Sequence, residues 1–164
     1  MNIPSAKVGF WVLVGGFSAG AADQLSAFAT LIPKGITAEA MLQYIASAVI
    51  GTRAFRGGVA TAIFGESVHF FLTTLMAAVF VLASLRYSIL YRRSWISGLI
   101  YGALICVVMN YVAVPLSLAP SWKAPQGWDL VQAFLASCFY VGLPIAAAAR
   151  ELAQRSADSV PGLE

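Results

Sequence analysis

The sequence predicts an all-α integral membrane protein: four transmembrane helices, with a short interfacial or re-entrant helix between the first two. Long apolar stretches fill most of the chain, at about residues 8–32, 58–85, 95–114 and 128–149. Each reaches the ~20 residues that an α-helix needs to cross a hydrocarbon core of about 30 Å. Only 10% of the 164 residues are charged and 60% are hydrophobic, with mean hydropathy +0.81. Soluble domains carry about 25% charged residues. Residues 1–150 therefore read as one four-helix bundle and 151–164 as a polar tail, which leaves no room for a soluble domain of ordinary size.

The first stretch has two readings. Lys7, the apolar run Val8–Phe17 and the small residues Ser18–Ala22 have the form of a signal peptide with a cleavage site. Yet the apolar pattern continues past Asp23 to Ile32, and Gly16 and Gly20 form a GxxxG pair. Such pairs suit close helix contact, which favours a retained membrane helix. Pro33-Lys34-Gly35 ends it. Thr37 is placed to cap a new helix, with Glu39 in its first turn near the positive dipole end. Ala38, Met41, Leu42, Ile45, Val49 and Ile50 fall largely on one face. This stretch is too short to span and reads as lying in the interface or dipping into the bundle.

Arg53, Arg56 and Gly57-Gly58 lead into the second long stretch, and the basic turn Arg86–Arg93 leads into the third. The third carries its own small pair, Gly98 and Gly102. The connection from Pro115 to Gly127 holds three prolines and Trp122. From Glu151 the chain is polar and includes Pro161-Gly162, so it is expected to fray. Tyr87, Tyr91, Trp95, Trp122 and Trp128 flank the stretches, where interfacial aromatics are expected. No internal repeat is evident, so the inverted-repeat sign of a transporter is missing.

Four crossings put both termini on one side. Lys7, Arg86, Arg92, Arg93, Arg150 and Arg155 lie there, against Lys34, Arg53, Arg56 and Lys123 opposite. The positive-inside rule then places the termini in the cytoplasm. Lys34, Arg53 and Arg56 are candidates for lipid headgroup contact, or are ordinary interfacial cations with snorkelling stems. Basic residues scattered singly give no nucleic-acid signal. Cys106 and Cys138 lie inside apolar stretches and read as buried free thiols.

Five polar residues interrupt the apolar stretches: Asp23, Glu66, His69, Asn110 and Gln132. Ionisable groups in hydrocarbon are costly and normally face protein or water. At 1.5 Å per residue Asp23 sits about 13 Å from the outer end of its helix and Glu66 about 12 Å from the outer end of its own. All five fall in the outer half, so an outer-half polar cluster is expected. Glu66 and His69 share a face, being one turn apart. Such a cluster can fix helix register by hydrogen bonding at roughly 1 kcal/mol per contact. It can handle protons, since a histidine beside a carboxylate titrates near neutrality. A metal site from Asp23, Glu66 and His69 has acceptable donors, but one E-x-x-H is a weak signal, and no metal is expected. One histidine excludes a bis-histidine haem. The chain shows no G-x-S-x-G, H-E-x-x-H, phosphate-binding glycine loop or CxxC, so no catalytic residue and no cofactor are assigned.

The run from Tyr44 to Gly51, then Ala54-Phe55-Arg56-Gly57-Gly58, Gly65 and His69-Phe70, resembles a pattern in small uncharacterised bacterial inner-membrane proteins, the YagU-like group. Tyr101-Gly102, Val108 to Val112 and Pro115-Leu116-Ser117 resemble its second half. The resemblance covers about residues 15–117. It implies a four-helix protein of the bacterial inner membrane, with His69 and Asn110 among the patterned positions. Glu66 stands where the pattern has an apolar residue. No activity is implied beyond a loose link to acid tolerance. The expected function is a non-enzymatic structural or accessory membrane protein. Its partners would be the lipid bilayer and a larger membrane complex or a second copy of itself. The rival expectation is a proton-coupled transporter, channel or pH-responsive protein built around His69 and Asp23.

Overall fold

The computed structural model describes residues 4–120 and 123–158. All of their regular structure is helical. We label the helices α1 (Ser5–Leu31), α2 (Ala38–Ile50), α3 (Gly58–Arg86), α4 (Ser94–Leu116) and α5 (Gly127–Ala157). Three of them, α3, α4 and α5, are long and apolar enough to cross a membrane. The chain thus has the make-up of a multi-pass membrane protein. Helix α1 has 27 residues and a length of about 40 Å. Asp23, Gln24, Ser26 and Thr30 make its second half more polar.

Two contacts fix how α1 runs. Near its start, Trp11 lies 5.4 Å under the Arg155 guanidinium from the end of α5. Past its other end, Lys34 pairs with Asp129 at the start of α5, at 3.2 Å. Helix α1 is therefore antiparallel to α5 along its whole length. It is antiparallel to α3 as well: Gly16 faces Thr74, and Gly20 faces Phe70 and Thr73. Gly15 sits where the helices meet, against Ala77 of α3 and Ile145 and Ala148 of α5. Small residues let these backbones approach closely, and dispersion then supplies the attraction that lipid cannot.

Helices α4 and α5 cross with backbone close to backbone. A Cβ on Gly102 would meet the backbone of Ser137 and Cys138, and one on Gly142 would meet the backbone of Gly98 and Gly102. Both helices change to π-type winding along their course, α4 over Met109–Ala113 and α5 over Ser137–Gly142. The apolar core lies toward the end where α1 begins and α5 finishes. It joins Phe80 and Val81 of α3, Ile105 of α4, and Ile145, Ala149 and Leu152 of α5, with Val8, Trp11 and Leu90 packed around it. Tyr101 donates to the Met76 carbonyl at 2.8 Å across the same region.

Three expectations need correction. Helix α5 does not end near Ala149; it runs on to Ala157, and Leu152, Ala153 and Ser156 are buried. Residues 151–157 are packed helix rather than a fraying tail, because the run 149, 152, 153 and 156 forms an apolar or small stripe facing α1. Pro161-Gly162 lies outside the described residues. Pro115 belongs to α4 and not to the following connection; Trp122 in that connection also lies outside the described residues. Helix α2 is capped by Thr37, whose Oγ1 accepts from the Ala40 amide at 3.2 Å. Its buried residues, however, are Met41, Gln43, Ala46 and Ser47, while Val49 is exposed. Gly65 of α3 packs directly on the Leu42 carbonyl. Close approach at Gly65 favours the edge of α2 that carries Ala46 and Ser47, leaving Leu42, Ile45 and Ile50 half-buried and Val49 exposed.

Candidate functional site

The five polar residues do not gather into one cluster. Helix pairing divides them. His69 reaches across to α1, where its Nε2 lies 3.1 Å from the Gly20 carbonyl oxygen. A carbonyl only accepts, so Nε2 carries the hydrogen of this bond. Asp23 is three residues beyond Gly20, on the neighbouring turn of α1. Asp23 and His69 are therefore neighbours across the α1–α3 contact, both half-buried.

Asp23 also opens onto a cavity of about 790 Å³ between α1 and α5. Thr30, Lys34, Asp129, Gln132 and Tyr140 share its wall. The Lys34–Asp129 pair stands exposed at its mouth, and Gln132 and Asp23 share the wall with Ala27, Leu31, Ala133 and Ala136. The exposed ion pair contributes little to stability, at about 0–1 kcal/mol. Lys34 is thereby engaged by Asp129. Arg53 and Arg56 are exposed in the 3-10 turn between α2 and α3.

Glu66 faces elsewhere. It lines a separate groove with Glu39 and Leu42 of α2 and Phe17 of α1. The expected pairing of Glu66 with His69 fails because α3 presents its two adjacent edges to different neighbours. Asn110 bonds within its own helix, its amide donating to the Cys106 carbonyl at 2.9 Å. That bond sits at the start of the π segment of α4. Cys106 and Cys138 are buried free thiols. Among the described residues no three His, Cys, Asp or Glu side chains gather as a metal would require.

Sequence reasoning missed three participants. Gln43 is buried, and its amide donates to Glu39 at 3.2 Å and to the Gly58 carbonyl at 3.1 Å, tying α2 to the start of α3. Gln24 is only 5% exposed. Its Nε2 and the Glu66 Oε2 are the two buried side-chain atoms among the described residues without a hydrogen-bond partner. The facing stripes that pair Gly16 with Thr74 and Gly20 with Phe70 bring Gln24 to the level of Glu66. A polar residue at the i+4 position from a GxxxG pair was the available signal. Asp129 was legible only as a first-turn acid of α5.

Fold and site together define a helical membrane protein with a divided polar interior. The chain matches no family model, no curated protein and no solved structure.

Proposed function

We propose that this is a four-span inner-membrane protein, without enzymatic activity, whose Asp23–His69 pair makes the packing of α1 on α3 respond to protons. The carrying observation is the His69 bond to the Gly20 carbonyl, one turn from Asp23, which lines the cavity between α1 and α5. Helix α1 is the fourth crossing in this reading. Its length and its antiparallel run beside α3 and α5 support that. The termini then share a side with Arg86, Arg92, Arg93, Arg150 and Arg155, which the positive-inside rule places in the cytoplasm. Helix α2 becomes the shallow element of the outer half, held by Gly65 and by the Leu118 amide, which donates to the Ala48 carbonyl at 3.1 Å.

Gaining a proton at Nδ1 turns the ring into a cation beside the Asp23 carboxylate and changes the force between two helices. The titratable neighbours are Glu66 on α3, and Lys34, Asp129 and Tyr140 across the cavity. The thermal midpoint of the protein in phosphatidylcholine nanodiscs is expected to vary between pH 5 and pH 8. It should lose most of that variation in His69→Gln, which keeps an amide donor for Gly20 but does not titrate. A wild-type profile identical to that of His69→Gln sinks the reading. Proton flux in proteoliposomes, abolished by Asp23→Asn, would raise the role from response to transport.

A second reading rests on α4. Only 17% of its most apolar stretch is buried within the chain. Ile100, Leu104, Val107 and Tyr111 form an exposed stripe at helical spacing. Such a face suits an accessory protein that packs against another membrane protein or a second copy. Native mass spectrometry after gentle extraction is expected to show a stoichiometric second polypeptide or a dimer in that case. A single chain carrying only lipid would rule it out.

A further inference from the structure

The turn that joins α3 to α4 lies apart from the Asp23–His69 pair and its cavity. Both helices are long and apolar enough to cross a membrane, and only residues 87–93 separate them. Helix α3 has 29 residues, a length of about 43 Å. That matches a whole bilayer of about 40–45 Å, headgroups included. Two crossings joined by so short a link hold the link in the headgroup layer.

The link carries Arg86, Arg92 and Arg93. All three are exposed, and among the described residues their guanidinium groups have no ion pair or hydrogen bond. No Asp or Glu occurs in the sequence between Glu66 and Asp129. Among the described side chains at this end of the bundle the carboxylate is that of Glu151, and Arg155 already holds it at 3.2 Å. The turn is also fixed in shape. The Arg92 amide donates to the Ser88 carbonyl at 3.0 Å and the Arg93 amide to the Ile89 carbonyl at 3.1 Å. Ser97 Oγ donates to the carbonyls of Leu90 and Arg93, and Leu90 packs on the apolar core. The positive charge is therefore presented from a braced backbone. Tyr87, Ile89 and Trp95 stand exposed beside it.

These features restrict an occupant. Guanidinium groups take phosphate through paired, charge-assisted hydrogen bonds. A zwitterionic headgroup brings a cation as well as a phosphate, and the turn offers no free carboxylate to receive it. The exposed aromatic and apolar side chains suit an apolar body attached to the phosphate. Arg53 and Arg56, at the other end of α3, have a different setting. There the Glu39 carboxylate is tied by Gln43 to the start of α3.

We propose that the α3–α4 turn is a binding site for an anionic phospholipid. Its phosphate sits among Arg86, Arg92 and Arg93, and its glycerol and upper acyl chains lie along Tyr87, Ile89 and Trp95. The proposal rests on α3 and α4 spanning the membrane and is independent of the Asp23–His69 pair.

The test offers the full chain, in detergent, phosphatidylglycerol and phosphatidylcholine of equal chain length, and counts bound lipid by native mass spectrometry. Phosphatidylglycerol is expected to bind about tenfold more tightly, as two or more arginines near an anionic lipid supply. Arg92→Gln combined with Arg93→Gln should remove most of that preference. Arg53→Gln combined with Arg56→Gln, which takes the same charge from the other end, should keep it. A photoactivatable phosphatidylglycerol should label the peptide from Tyr87 to Trp95. Glycerol 3-phosphate, which has the phosphate without the chains, should not displace the lipid. Equal binding of the two lipids, equal loss in the two double variants, or displacement by glycerol 3-phosphate overturns the proposal. If the variants fold poorly, the lipid preference and the position of the label on the wild-type protein still decide it. A chain that does not enter phosphatidylcholine nanodiscs overturns the membrane reading and the proposal with it; one that enters but shows no preference sinks the proposal alone.

Discussion

Gly102→Leu is expected to prevent the bundle from assembling. The space beside Gly102 is filled by the backbone of Ser137 and Cys138. Side chains can rotate out of the way, but a backbone inside a helix cannot. Helices α4 and α5 would have to separate, and the contacts of Gly98 and Gly142 next to the site would open as well. Overpacking a core typically costs about 1–3 kcal/mol; with rigid backbone on the opposing side the expected cost exceeds that range. The variant should elute as a broad aggregate and melt without a cooperative transition. Gly9→Leu is the control, since nothing lies within 4 Å of a Cβ there. Equal melting of the two variants would show that the α4–α5 crossing is not the tight contact described.

Leu152→Ala is expected to destabilise the protein by about 2–5 kcal/mol, the usual range for a buried leucine. Leu152 is 1% exposed and belongs to the core with Ile145 and Ala149, against Val8 and Trp11. Leu152 lies in the polar last turns of α5, beside Arg150, Glu151 and Arg155. At 1.5 Å per residue α5 is about 46 Å long, longer than the hydrocarbon core of about 30 Å. Its last turns therefore meet water in the unfolded state, and burial there gains hydrophobic free energy. Deep in lipid the same truncation loses packing but little transfer energy. Leu104→Ala, on the exposed face of α4, should change the melting temperature little. Denaturation followed by circular dichroism in detergent would compare them, and equal effects would return residues 151–157 to the status of a loose tail.

The long helices were legible because about 20 apolar residues in a row have few other uses. The start of α2 was legible from Thr37 and Glu39, since capping depends on local chemistry alone. The packed side of α2 was not. In water an apolar stripe marks the face turned inward, but lipid is as apolar as a protein core and removes that signal. Small residues mark the inward face instead, as Ala46 and Ser47 do on α2 and Gly65 does on α3. The end of α5 was misread for the opposite reason. Arg150, Glu151 and Arg155 suggested a solvated tail, while the stripe of Leu152, Ala153 and Ser156 obeyed the ordinary rule for helices in water.

The same limits apply to the polar residues. Spacing put Glu66 and His69 on one broad face of α3, which was sound for one helix considered alone. Only the placement of α1 and α2 on either side of that face sends the two residues to different compartments. The approach of His69 to Gly20 follows from GxxxG packing, which brings a backbone carbonyl within reach of a side chain from the next helix. No pattern within a single segment contains that information.

The π segment Ser137–Gly142 has a consequence for how α5 addresses its neighbours. A π turn takes in one more residue than an α turn, and each residue of an α-helix advances the face by about 100°. Such a segment turns the edges of the rod that follows it. Beyond it, Leu143 and Ala146 still address Gly98 of α4, while Ile145 and Ala148 address Gly15 of α1. One continuous rod thus reads two partners from two adjoining edges, as a key cut on both sides engages two sets of pins.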